Sequence, residues 1–131
     1  MPFTVKDVLR LQVAPALGCT EPVAVALASA AAAALLPGPA CEVEVWVDPN
    51  VYKNGLAVSI PGTAGLCGLD TAAALGLCGG DPARKLEVLD SVTPEGVRAA
   101  RAMKEIGRRR KRREERLKER IREAKAAAKG K

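Results

Sequence analysis

The heptapeptide Cys41-Glu42-Val43-Glu44-Val45-Trp46-Val47 decides how the chain reads. Its residues alternate without a break, which places Cys41, Val43, Val45 and Val47 on one face of a β-strand. Asp48-Pro49-Asn50 then reads as a turn, and after Gly55 the run Leu56-Ala57-Val58-Ser59-Ile60 alternates again. Two such runs joined by a short polar connection predict an antiparallel pair. The expected class is therefore α+β: a short antiparallel strand pair packed among Ala-rich helices, with a long basic C-terminal helix.

The helices are read outward from that pair. Upstream, Pro22 to Leu36 is a nearly unbroken apolar run, with Thr20 as its expected N-cap, and Pro37-Gly38-Pro39 ends it. Proline in a first helical turn loses no hydrogen bond, because that N–H has no intrahelical partner. Thr4 and Asp7 predict a capping box for a short N-terminal packing helix running towards Val13. Downstream, Leu66 to Leu77 reads as a helix stopped by Gly79-Gly80, and Asp81-Pro82 and Thr93-Pro94 each read as a helix start.

The run from Pro22 superficially resembles a signal-peptide core, but Glu21 precedes it where cations would stand. Fifteen helical residues reach roughly 22 Å, short of the roughly 30 Å hydrocarbon layer. A buried helix in a cytoplasmic protein, with no membrane partner, is the expectation.

Charge divides the chain more sharply than hydrophobicity. Of its 131 residues, 1–97 carry five Lys/Arg and ten Asp/Glu, whereas 98–131 carry sixteen and five, so the parts are −5 and +11. Such asymmetry predicts a mildly acidic body, 1–97, and a basic helical tail, 98–131. The chain has no histidine. That excludes Ser-His-Asp hydrolases, Cys-His proteases and His-based zinc sites, and leaves chemistry to Cys, Lys, Asp and Glu.

Three segments could carry such chemistry. In Gly18-Cys19-Thr20-Glu21-Pro22 a thiol precedes a helix N-terminus, where free N–H groups and the helix dipole favour anions. Cysteine is also among the most commonly buried residue types, so an inert Cys19 is the competing reading. Asp48 to Gly55 concentrates polar groups between apolar runs. Lys53 there could pair with a carboxylate or act as a base, and Asn50 and Asn54 could orient polar groups, while a plain hydrophilic turn is the alternative. Pro61-Gly62-Thr63-Ala64-Gly65 offers backbone N–H groups ahead of a helix but lacks both nucleotide-binding glycine patterns. Cys41, Cys67 and Cys78 have no recognised metal spacing and read as core thiols.

Taken together, Ala16-Leu17-Gly18-Cys19-Thr20-Glu21-Pro22-Val23-Ala24, Asp48-Pro49-Asn50-Val51-Tyr52-Lys53-Asn54-Gly55 and Ile60-Pro61-Gly62-Thr63 resemble the N-terminal portion of the L-cysteine desulfidase family, UPF0597-type proteins included. That family is related to the alpha subunit of iron–sulfur L-serine dehydratase. The resemblance covers roughly residues 5–100, with Gly79-Gly80-Asp81-Pro82 and Leu86-Glu87-Val88-Leu89 adding to it.

The resemblance implies a lyase performing α,β-elimination on L-cysteine or L-serine, giving pyruvate and ammonia, plus sulfide from cysteine. It implies a [4Fe-4S] cluster held by three cysteines with one iron open as a Lewis acid. It assigns one cluster ligand to Cys19, catalytic roles to Lys53 and Asn54, and substrate binding to Thr20, Glu21, Asn50, Gly62 and Thr63. The other cluster cysteines of the family lie in a C-terminal half that Cys41, Cys67 and Cys78 do not match. A truncated or split homologue, working with a complementing C-terminal chain or as a homodimer on a small amino-acid substrate, is thus the expected protein. A different class of function is a non-catalytic binding module, in which Arg108-Arg109-Arg110-Lys111-Arg112-Arg113 contacts nucleic acid or another acidic surface.

Overall fold

Small residues bring two central helices together almost backbone to backbone. In the computed structural model, which describes residues 3–40 and 42–129 (127–129 by backbone alone), α1 (Val5–Gln12) and α2 (Thr20–Ala34) are followed by α3 (Pro49–Gly55) and α4 (Leu69–Gly79). A 3-10 helix, Pro82–Glu87, leads into α5 (Pro94–Lys129). Helix α2 packs on α4, and a Cβ added at Gly76 would overlap the carbonyl of Ala26. Side chains no larger than alanine at Ala26, Ala30, Ala72 and Ala73 permit this approach, and all four are buried.

Leu75, Val23 and Val88 fill the remaining space as the largest fully buried side chains. Burying such a group contributes about 1.5–3 kcal/mol relative to leaving it in water. The first turns of α5 close the body, with Ala100 buried and Val97 and Met103 packed against the core. Lys104 Nζ, from the same end of α5, reaches Asp70 Oδ2 at 2.9 Å and Thr71 Oγ1 at 2.7 Å on α4. The change in charge at Val97 therefore falls inside α5, and residues 105–126 of that helix are exposed.

The α+β expectation is corrected: the chain is mostly helical, and no sheet forms among the described residues. The connection expected to be a turn is itself a helix, because Asp48 caps it by accepting from the Asn50 N–H at 2.8 Å and Pro49 opens its first turn. The second expected strand pairs with its own continuation instead. Ile60 N donates to Leu66 O at 2.8 Å, Gly68 N to Val58 O at 3.3 Å, and Ser59 and Cys67 form a single antiparallel bridge. Among the described residues Glu42–Val47 has no ladder partner, and Cys41 lies outside them.

Helix boundaries follow the caps. Thr4 and Asp7 form the expected capping box of α1, but no residue of that helix is buried, so it does not pack as expected. Its apolar side chains Val5, Val8 and Leu9 remain exposed. Cys19, rather than Thr20, is the N-cap of α2. Asp81 caps the 3-10 helix through the Ala83 N–H, and Thr93 Oγ1 accepts from Gly96 N at the start of α5, as the two proline signals predict.

Candidate functional site

Three polar blocks far apart in the sequence meet at the N-terminal end of α2. Gly18, at φ +90°, turns the chain into that helix, and a Cβ there would stand 2.9 Å from Cγ and Cδ of Pro61. Positive φ is inexpensive only for glycine, so Gly18 serves both the turn and the close approach. On the other side, Asn54 Nδ2 donates to Glu21 Oε1 at 3.3 Å. Gly55 is buried beside that bond, where a Cβ would overlap Leu69 and reach within 3.4 Å of Glu21 Cβ.

Around this junction the candidate side chains occupy distinct positions. Cys19 is exposed and makes no side-chain capping bond, so its thiol is open to solvent at the start of α2. Thr20 Oγ1 lies 3.3 Å from the other oxygen of Glu21, so one carboxylate is held by both neighbouring groups. Lys53, in the last turn of α3, is exposed and makes no ion pair among the described residues. Asn50 uses its backbone N–H in the Asp48 cap and leaves its side chain exposed.

The glycine loop is built differently. Gly62, at φ +73°, has open space where a side chain would be. Thr63 is 4 % exposed; its hydroxyl donates to Ile60 O at 2.6 Å and accepts from Leu66 N at 3.2 Å, which fixes the loop from within. Chemically the junction offers a fixed carboxylate, a carboxamide, an exposed cation and an exposed thiol. The sequence reading did not single out Gly18, Gly55 or Pro61 as the residues that bring these groups together; only tertiary contacts identify them.

Cys19, Cys67 and Cys78, the described cysteines, do not form a cluster ligand set. A [4Fe-4S] cluster is held by several thiolates at one point, yet no three Cys, Asp or Glu side chains among the described residues could hold a metal ion together. Cys67 precedes α4 and is exposed, correcting its reading as a core thiol. Cys78 lies near the other end of α4, about 13 Å along the axis from Leu69 at 1.5 Å per residue. It is half-buried against the core, and that burial pushes its thiol up from the ordinary range. The described residues therefore do not fit a complete cluster by themselves.

No helix of the described residues is long and apolar enough to cross a membrane. No protein-family model matches the chain, and no solved structure does. The chain is 64 % identical over 110 residues to a UPF0597 protein of Desulfatibacillum aliphaticivorans, a match taking in 82 % of this chain and 25 % of that one. It is 62 % identical over 105 residues to a UPF0597 protein of Desulforapulum autotrophicum, covering 79 % and 24 % of the two chains. With the UPF0597 protein YhaM of an Escherichia coli strain the identity is 53 % over 97 residues, or 74 % and 22 % of the chains. The matched residues are thus similar to one part of these UPF0597 proteins, and the chain spans about a quarter of the length of these curated relatives.

Proposed function

We propose that this chain supplies one wall of the active site of an amino-acid lyase of the L-cysteine desulfidase and L-serine dehydratase type. The convergence of Gly18, Glu21, Asn54 and Pro61 supports it, since the three blocks that carry the resemblance meet at one place. The overall reaction removes the β-SH or β-OH of the substrate with its α-proton, leaving aminoacrylate, which water converts to pyruvate and ammonia. In this reading Lys53 pairs with the substrate carboxylate or takes the α-proton, and Asn54, held by Glu21, orients the amino acid. Thr20 and Asn50 line the same wall, and Gly62 leaves room for substrate beside the loop that Thr63 fixes.

Cys19 is the ligand this chain offers to an iron–sulfur cluster. The other ligands come from residues outside it, in a longer polypeptide or a complementing chain. The test is a chimera in which this chain's residues replace the matching quarter of the D. aliphaticivorans protein, reconstituted anaerobically with iron and sulfide. Pyruvate from L-cysteine or L-serine, abolished by Cys19→Ala, is the expected result. A folded, iron-loaded chimera that makes no pyruvate from either amino acid overturns the reading, and a stable four-iron cluster on the isolated chain overturns the division of ligands.

A second reading rests on α5, whose exposed portion carries six consecutive cations from Arg108 to Arg113. Phosphate contacts by such a helix release counterions, so binding to RNA or DNA would weaken steeply with salt. Retention on immobilised RNA that disappears between low and moderate salt supports it; absent or salt-insensitive retention removes it.

A further inference from the structure

Residues 42–48 join α2 to α3 without forming helix, turn or ladder until α3 begins. No backbone group of Glu42–Val47 pairs with another backbone group among the described residues. The sequence of the segment nevertheless alternates as a strand does. Trp46 Nε1 donates to Glu44 Oε2 at 3.4 Å, two residues back, and Val47 packs against the helical core.

Open grooves flank the segment on both sides. One, of about 540 Å³, lies between it and α2, where Ala24, Ala28 and Ala32 line it. The other, of about 720 Å³, lies between it and the α4–α5 pair, where Leu77, Met103 and Ile106 line it. Val43 and Val45 border both grooves. A row of unpaired N–H and C=O groups is a template for strand addition, and apolar troughs alongside it accept the alternate side chains of the added strand.

We infer that Glu42–Val47 is a β-edge that receives a strand by main-chain pairing, and that the strand comes from the part of a UPF0597 polypeptide outside this segment. That part is about three quarters of the relatives' length. Leu56–Ile60, the other alternating run of this chain, is already turned onto residues 66–68. A second copy of the chain is the poorer occupant, because antiparallel pairing of the segment with itself, centred on Val43, Glu44 or Val45, sets Glu42 or Glu44 opposite Glu42, Glu44 or Asp48 of the other copy, and like charges across a strand pair repel. The added strand accordingly carries Lys, Arg or neutral polar residues facing Glu42 and Glu44. This inference rests on the similarity to UPF0597 proteins and not on the reaction proposed above.

Hydrogen exchange tests it, comparing the isolated chain with the chimera described above. The expected result is at least tenfold slower exchange of amides within 42–47 in the chimera. Neighbouring N–H groups of a strand point to opposite edges, so of Glu44→Pro and Val45→Pro at least one removes the protection. Equal exchange in chimera and isolated chain overturns the inference, as does protection in the isolated chain that rises with concentration, which would mark a second copy as the occupant. If the chimera or a proline variant does not fold, exchange at the aligned segment of the unaltered relative decides. Protection without pyruvate formation overturns only the lyase reading, and pyruvate formation without protection overturns only this one.

Discussion

Asn54 Nδ2 lies 3.3 Å from Glu21 Oε1, a bond that crosses 33 positions of sequence and joins the end of α3 to the first turn of α2. Both side chains border solvent, so the bond adds little to stability, roughly 0.5–1.5 kcal/mol as for most hydrogen bonds in folded proteins. Its larger effect is to hold the carboxamide in one orientation. Asn54→Ala is therefore expected to lower kcat/KM of the chimera at least tenfold while moving the melting temperature by no more than a few degrees. A change confined to melting temperature would make the bond purely structural.

The contact between α2 and α4 gives a stability prediction with an internal control. Gly76→Ala pushes a methyl against the Ala26 backbone, which has no flexible end to yield, and should cost about 1–3 kcal/mol or more. Gly107 meets nothing within 4 Å on the exposed part of α5. Gly107→Ala should stabilise that stretch by roughly 0.5–1 kcal/mol, through helix propensity alone. Urea melts of the two variants read opposite signs.

Thiol accessibility orders the cysteines. Cys19 and Cys67 are exposed, whereas Cys78 is half-buried with its thiol pushed up by desolvation. Among the three described cysteines, a maleimide at neutral pH should modify Cys19 and Cys67 before Cys78, with Cys78 catching up as pH rises. Mass spectrometry of timed digests follows the order, and prior labelling of Cys78 would contradict the packing of α4.

The pH response of α1 follows from its cap. Asp7 is held below its ordinary value of 3.8 by hydrogen bonds from the Thr4 side chain and backbone. A lowered carboxyl supports the folded form fully above pH 3.8 and loses that contribution as the pH falls through its own, lower value. Amide signals of residues 5–12 should thus broaden or shift only below about pH 4, and Thr4→Ala should move the transition upward. An unchanged midpoint in the variant would mean the cap does not set it.

The exposed part of α5 should be dispensable for the body. Residues 105–126 are exposed, while Lys104 is the last to bond α4, through Asp70 and Thr71. Removing residues 111–131 is expected to leave the melting temperature within a few degrees, whereas Lys104→Met should lower stability by up to about 1 kcal/mol, since Asp70 is largely exposed.

Local chemistry was legible in the sequence wherever a single turn decides the outcome. Thr4 with Asp7, Asp81 before Pro82 and Thr93 before Pro94 start helices because side-chain oxygens and first-turn prolines act within three or four residues. Asp48-Pro49 carries the same signal, and reading it as a turn produced the strand pair that does not form. The alternation of residues 41–47 records a strand's periodicity without recording its partner. A ladder is a property of two segments, and no described residue pairs with this one.

The sequence by itself determined the caps at Thr4, Asp81 and Thr93, the separation of charge and the three blocks that carry the family resemblance. Tertiary structure alone decided that those blocks meet. Gly18 against Pro61, Glu21 against Asn54 and Gly76 against Ala26 are close approaches between residues far apart in the sequence, set by packing volume that periodicity does not encode.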